Sequence, residues 1–167
     1  CVIRRSHRGL AIQLRDEGNV EEVSFSDCLI ETRQFHPKWW GNAEAVYITA
    51  IPRHPDRVVG TVRGISCRGI RFTGENGVFL AGTEESPLED ILLDSVSGRI
   101  VKTSRFPVDF HDMRPSQSEE HGGLDRGKLS GITARHVDGL VIRNCSVSFP
   151  VKGLEHWSRA LSAEKVR

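Results

Sequence analysis

Neither sign of charge dominates this sequence of 167 residues: 23 Lys+Arg stand against 22 Asp+Glu, a net charge of +1. That balance excludes a dedicated nucleic-acid binder, which carries a basic excess or stripe. Long apolar runs are missing too. None approaches the ~18 residues of a membrane span, and the N-terminal CVIRRSHRGL has basic residues but no apolar core of a signal peptide. The sequence opens without Met, so it is expected to be a cut or processed piece of something longer. Cysteine is sparse, and Cys1, Cys28, Cys67 and Cys145 form no CxxC or CxxH pair, which argues against a structural zinc site. An even count allows two disulfides. Each Cys nevertheless stands among aliphatic residues (CVI, DCLI, SCRGI, NCSV), the setting of a free interior thiol. The seven His include no HExxH, and there is no GxSxG elbow or P-loop. No metal, nucleotide or acyl-enzyme site, and no cofactor, is expected.

What the sequence does have is a repeat. Four segments place apolar residues at offsets 0, 3, 5, 8 and 10: Val20, Val23, Phe25, Cys28, Ile30; Val62, Ile65, Cys67, Ile70, Phe72; Leu88, Ile91, Leu93, Val96, Gly98; and Val137, Leu140, Ile142, Cys145, Val147. Gly98 is the one miss in 20 positions, where composition supplies 38% hydrophobic residues. The steps 3→5 and 8→10 alternate with period two, the mark of a strand with one buried face. The step 5→8 breaks the alternation at polar pairs (Ser26-Asp27, Arg68-Gly69, Asp94-Ser95, Arg143-Asn144), as a bend between short strands would. The segments start 42, 26 and 49 residues apart. A step near 26 suits one coil of a parallel β-solenoid, whose coils stack at ~4.8 Å, with the longer steps carrying inserted loops. Cys1 and Ile3 match offsets 8 and 10 of an earlier coil, so the chain is expected to begin in mid-coil. An antiparallel sandwich also gives regularly spaced short strands, but it accounts less well for Cys at a shared offset.

No domain boundary is evident: residues 1–167 read as one partial solenoid domain. Residues 103–131 read as a long surface loop whose FPVDFHDMRPS stretch packs back on the wall. From residue 154, Leu154, Trp157 and Leu161 have helical spacing, predicting a short helix or a further coil. Among candidate functional residues, Trp39-Trp40 in HPKWWGNAE can offer an exposed indole to a sugar face; the structural alternative is that both staple a loop. Glu44 is the best single carboxylate. The doublets Asp16-Glu17, Glu21-Glu22, Glu84-Glu85 and Glu89-Asp90, and Asp109 with Asp112, read as solvated turn residues. Arg15, Arg33 and Arg53 stand near strand ends, where guanidinium groups can hold a sugar carboxylate.

RGLAIQLRDEGNVEEVSFSDCLIETR, HPKWWGNAEAVYITAIPR, GTVRGISCRGIRFTGENGVFLAG and SPLEDILLDSVSG, in this order, resemble the later coils of glycoside hydrolase family 28, the polygalacturonase-like enzymes. The resemblance runs from about Arg8 to Ser148. It implies an all-β, right-handed, single-stranded parallel β-helix, truncated at its N-terminus, that hydrolyses α-linked pectic sugars with inversion, using aspartates and no metal. The family's aspartate motifs precede the RG strand, so the resemblance puts the catalytic acids upstream of Cys1 and this chain alone is expected to be inactive. The family's Arg-Ile-Lys aligns with Ala11-Ile12-Gln13, which weakens the case for galacturonate. By resemblance Gln13 and Arg15 are groove residues, and Trp39, Trp40, Glu44 and Tyr47 subsite walls. The implied partner is a polysaccharide or oligosaccharide, with neither nucleic acid nor membrane involved, and the family leans extracellular. The reading from another class is a non-catalytic β-helix that binds carbohydrate or serves as a structural module.

Overall fold

A computed structural model gives the architecture of residues 1–36, 39–54, 56–114, 123–150 and 157–167. The described chain is all-β, with no helix among these residues. Strands β1 (Val2–Ser6), β5 (Leu29–Thr32), β8 (Arg71–Gly74), β11 (Ser97–Ile100) and β15 (Ser146–Ser148) make a five-stranded sheet in that order, every pair parallel. A nine-stranded sheet holds β2 (Leu10–Leu14), β6 (Val46–Ala50), β9 (Val78–Ala81), β14 (Ile132–Arg143), β10 (Leu88–Asp94), β7 (Val62–Arg68) and β3 (Val20–Glu21) in that order, with β4 (Ser24–Ser26) on β7 and β16 (Leu161–Val166) on β14. Strand β14 joins two ladders: Ile132–Arg135 pairs with β9, and the stretch from Val137 to Arg143 pairs with β10. The antiparallel pair is β12 (Phe110–Asp112) with β13 (Leu124–Arg126).

The apolar spacing of the sequence is the register of these parallel pairs. Val20, Val62, Leu88 and Val137 are successive partners, as are Phe25, Cys67, Leu93 and Ile142. In the five-stranded sheet Ile3, Ile30, Phe72, Gly98 and Val147 align. These ladders meet in one core, where Val62, Ile65, Cys67, Leu88, Ile91 and Leu93 are inaccessible or nearly so. Each large aliphatic buried there contributes about 1.5–3 kcal/mol. Gly98 interrupts its ladder because the Phe72 ring fills its place: a Cβ on Gly98 would lie 1.9 Å from the ring's Cζ.

The three-residue steps have a backbone cause. At offset 2, Glu22, Gly64, Asp90 and Gly139 all have positive φ; at offset 7, Asp27, Gly69, Ser95 and Asn144 do. One left-handed residue inverts the alternation of side chains, so the next apolar position comes three residues on rather than two. Gly, Asp and Asn, six of these eight, are the types that enter this region most readily; Glu22 and Ser95 adopt it as well.

The free thiols read from the sequence are present: all four Cys are unpaired, with Cys28 and Cys67 buried and Cys145 half-buried. Burial pushes the Cys67 thiol up to about 12. Cys1 departs from the expectation of interior position and is exposed, its Sγ 3.0 Å from that of Cys28. Leu161 belongs to strand β16, not to a helix, because the segment adds an edge to β14. Trp157 bridges Leu129; Leu154 lies outside the described residues. The loop expected over residues 103–131 contains the β12–β13 pair, and Val108, Phe110, His111, Asp112 and Arg114 are buried.

Candidate functional site

Side chains alternate along β2, β6 and β9. Leu10, Ile12, Val46, Ile48, Val78 and Leu80 enter the core. The opposite, outer face therefore carries the rows Ala11–Tyr47–Phe79–Thr133 and Gln13–Thr49–Ala81–Arg135, joined by register. Four of the six residues expected at a groove sit here or against it: Gln13 and Tyr47 on the outer face, Arg15 just beyond β2, and Glu44 just before β6.

Arg8, which sequence reasoning did not single out, ties them together. Its Nε donates to Glu44 Oε2 at 3.2 Å, its Nη1 to Gln13 Oε1 at 3.2 Å and its Nη2 to the Asp112 carbonyl at 3.4 Å. The guanidinium lies 3.6 Å above the Tyr47 ring centroid, a cation–π contact. Burial works against the charge on Arg8, but Glu44, Tyr47 and Asp112 together more than offset it and the net shift is upward. Glu44 Oε2 also accepts the Asn42 amide at 2.8 Å, and its Oε1 has no hydrogen-bond partner among the described residues.

Strand β12 lies over this face. Tyr47 Oη donates to the Asp112 carbonyl at 2.9 Å, and the His111 ring stacks on Phe79 with centroids 4.0 Å apart. Tyr47, Phe79 and Ala81, with Met113 and Ile51, form a second, small apolar cluster. Burial raises the Tyr47 phenol to about 12 and lowers the His111 imidazole to about 3. Asp112 is buried rather than solvated, correcting the expectation for that carboxylate. Arg114 grips it from both sides, Nε to Oδ1 at 2.8 Å and Nη2 to Oδ2 at 2.9 Å, and the Gly41 amide donates to Oδ2 at 2.8 Å. Burial alone would raise the Asp112 carboxyl; Arg114 and the Gly41 amide hold it below the usual carboxylate range. The spacing Asp-x-Arg in FHDMRP, inside the stretch expected to pack back on the wall, was the available signal that Asp112 is paired and not solvated.

The tryptophans stand at the rim. Trp39 and Trp40 are 58% and 44% exposed, and the Trp39 carbonyl accepts Arg114 Nη2 at 3.1 Å, so the backbone is held while both indoles reach solvent. Arg15 is buried and donates to the Met113 carbonyl at 3.2 Å; burial lowers its pKa. Arg53 is not brought to this cluster but pairs with exposed Asp16 at 2.8 Å. Arg33 lines a separate groove of about 650 Å³ along β1, β5 and β8. Of the remaining carboxylates, Glu21 and Glu89 flank exposed Arg63 at 2.7 and 3.6 Å, as solvated surface residues do.

No family model, curated protein or solved structure matches the chain.

The cluster is built from ion pairs and hydrogen bonds that hold its side chains in place. Glu44 and Asp112 each face a guanidinium, at 3.2 and 2.8 Å. Five N–H groups belong to each arginine, and three on Arg8 are used within the cluster. The others, with the Gln13 amide, are donors beside an exposed outer rung. Among the described residues no three His, Cys, Asp or Glu group so as to hold a metal ion, and no helix is long and apolar enough to cross a membrane.

Proposed function

We propose that this chain supplies later coils of a right-handed parallel β-helix of the family 28, polygalacturonase-like kind, and forms substrate-binding wall for a pectin-like polysaccharide or oligosaccharide. The observation that carries this reading is one outer rung bearing Gln13, with Arg8 and Arg15 beside it and two exposed indoles at the rim. Guanidinium and amide donors suit sugar hydroxyls and carboxylates, and flat indoles suit the C–H face of a pyranose. The coil reading draws support from strand order, since successive segments return to the same three ladders in parallel register.

The hydrolysis is the inverting cleavage of an α-glycosidic bond, with an aspartate acid and an aspartate base on coils ahead of Cys1. Inversion needs carboxyls ~6.5–9.5 Å apart, a separation that neighbouring rungs and alternate strand positions of parallel strands provide. With Ala11 and Gln13 in place of two cations, the subsite here favours a sugar of lower charge than galacturonate or recruits Arg15 for the carboxylate.

A second reading, a non-catalytic carbohydrate-binding β-helix, is favoured by one observation: Glu44 and Asp112 are both committed to arginines. Two measurements decide. Oligogalacturonides and neutral pectic oligosaccharides are titrated against intrinsic fluorescence; quenching that disappears in Trp39→Ala or Trp40→Ala supports the sugar groove, and an unchanged spectrum at millimolar sugar refutes it. The coding sequence upstream of the Cys1 codon is then read: coils with paired aspartates support the hydrolase, and their absence leaves the binding module.

A further inference from the structure

We infer that the sugar groove is blind on its C-terminal side, so that it receives the end of a polysaccharide and not its interior. The inference rests on the carbohydrate reading above and adds the mode of engagement.

Successive rungs of the outer face are not equally open. On β2, Ala11 and Gln13 are exposed. One and two rungs further, Tyr47, Thr49, Phe79 and Ala81 are all buried. What covers them is β12, and its fastening is extensive. Asn42 Nδ2 donates to the Val108 carbonyl at 3.0 Å and to the Phe110 carbonyl at 2.5 Å. The Gly41 amide and Arg114 saturate the Asp112 carboxylate, Tyr47 and Arg8 share the Asp112 carbonyl, and Arg15 takes the carbonyl of Met113. Stacking of His111 on Phe79 fills the remaining contact. Removing β12 to extend the groove would take the acceptors from Gly41, Asn42, Tyr47 and Arg15, buried donors costly to leave unpaired. The covering segment is therefore a fixed wall and not a lid.

Parallel rungs are ~4.8 Å apart, comparable with the advance of one sugar ring. A polysaccharide lying along the ladder meets the wall one rung past Ala11 and Gln13. Its terminal ring comes to rest against Arg8, Gln13 and Arg15, whose donors would read a terminal hydroxyl or carboxylate. An interior segment has no path across β6 and β9.

The test is a stoichiometry. The chain is mixed with galacturonate trimer and with de-esterified polygalacturonates of increasing length, and the mass of the complexes is followed by light scattering while fluorescence quenching reports occupancy. A neutral galactan series is run in parallel. The expected result is one protein per polysaccharide at every length, with the same affinity per chain end for trimer and polymer. Ala11→Trp, on the exposed rung and away from the core, should lower affinity by about tenfold or more without moving the unfolding midpoint. Protein copies that increase with polymer length, while binding persists, would overturn the blind groove and leave the carbohydrate reading standing. Absence of binding to every saccharide of both series would overturn the carbohydrate reading itself, and the blind groove with it.

Discussion

Exchanging volume between Phe72 and Gly98 tests whether the apolar ladders are fitted as a set. A Cβ on Gly98 would approach the Phe72 ring at 1.9, 2.1 and 2.4 Å, where ordinary contact begins at 3.4 Å, so the ring has to retreat by about 1.5 Å. Phe72 is only 4% exposed and has core on its other side. Overpacking of this kind costs about 1–3 kcal/mol. Gly98→Val sits at the upper end of that range, because the small gain in strand propensity is at most ~1 kcal/mol. Phe72→Val alone leaves a void and costs about 2–5 kcal/mol. In the double variant the methyls introduced at position 98 occupy space vacated by the ring, so its cost is expected to fall short of the sum of the single costs by about 1–3 kcal/mol. Urea unfolding followed by fluorescence reads this, since Trp157 is buried and in ring contact with Phe149. Additivity of the two single costs within ~0.5 kcal/mol would refute the claim that the Phe72 ring is what empties position 98.

His111 should make stability sensitive to mild acid. Its folded-state pKa is depressed to about 3 from 6.5, so the unfolded chain takes the proton first; stability is full above pH 6.5 and falls toward pH 3 with a limiting slope of ~1.4 kcal/mol per unit. His111→Phe, which keeps a ring against Phe79, should flatten that window, as measured by urea midpoints between pH 4 and 8 (about the range in which His titrates); an unchanged slope would count against a buried neutral imidazole. Tyr47 is the only tyrosine in the sequence, so an ultraviolet titration reports it alone: ionisation is expected near 12, and a midpoint near 10 with the strands intact would contradict its burial beneath β12. Asp112→Asn should destabilise the chain by about 1.5–3 kcal/mol, because it removes the charged acceptor shared by Arg114 Nε and Nη2 and the Gly41 amide; a loss under ~1 kcal/mol would show the pair to be solvated.

The ladders were legible in the sequence because each inward position repeats its character at a fixed offset, and register in parallel strands copies that repetition directly. The left-handed residues were visible only as polar breaks: Asp27, Gly69, Ser95 and Asn144 differ in chemistry and share a backbone angle, which composition does not display. Gln13, Arg15, Glu44 and Tyr47 were found because they stand on or next to the ladder strands. Arg8 was missed because its partners lie far off in sequence, Asp112 104 residues away; Asp112 and Arg114 stand two residues apart, but the Gly41 amide and Trp39 carbonyl that bond them are 71 and 75 residues away. Local pattern carries no trace of such a contact. The apparent helix spacing at Trp157 and Leu161 failed for a related reason, as the open edge of β14 decides the conformation of residues 161–166.

The two left-handed bends recur once per repeat with no change in length, whereas the joints before β6, between β6 and β7, and between β11 and β14 vary from short to long. All variable joints flank the ladder that carries Ala11, Tyr47 and Phe79. Change in the chain is thus sorted by location: one part of the cross-section is kept invariant by backbone geometry, and the part next to the outer face is free to differ. Segments of other lengths grafted at these three joints would reshape the rim and the wall while leaving the register of the ladders untouched, which makes this architecture a frame on which recognition can be rebuilt without refolding the support.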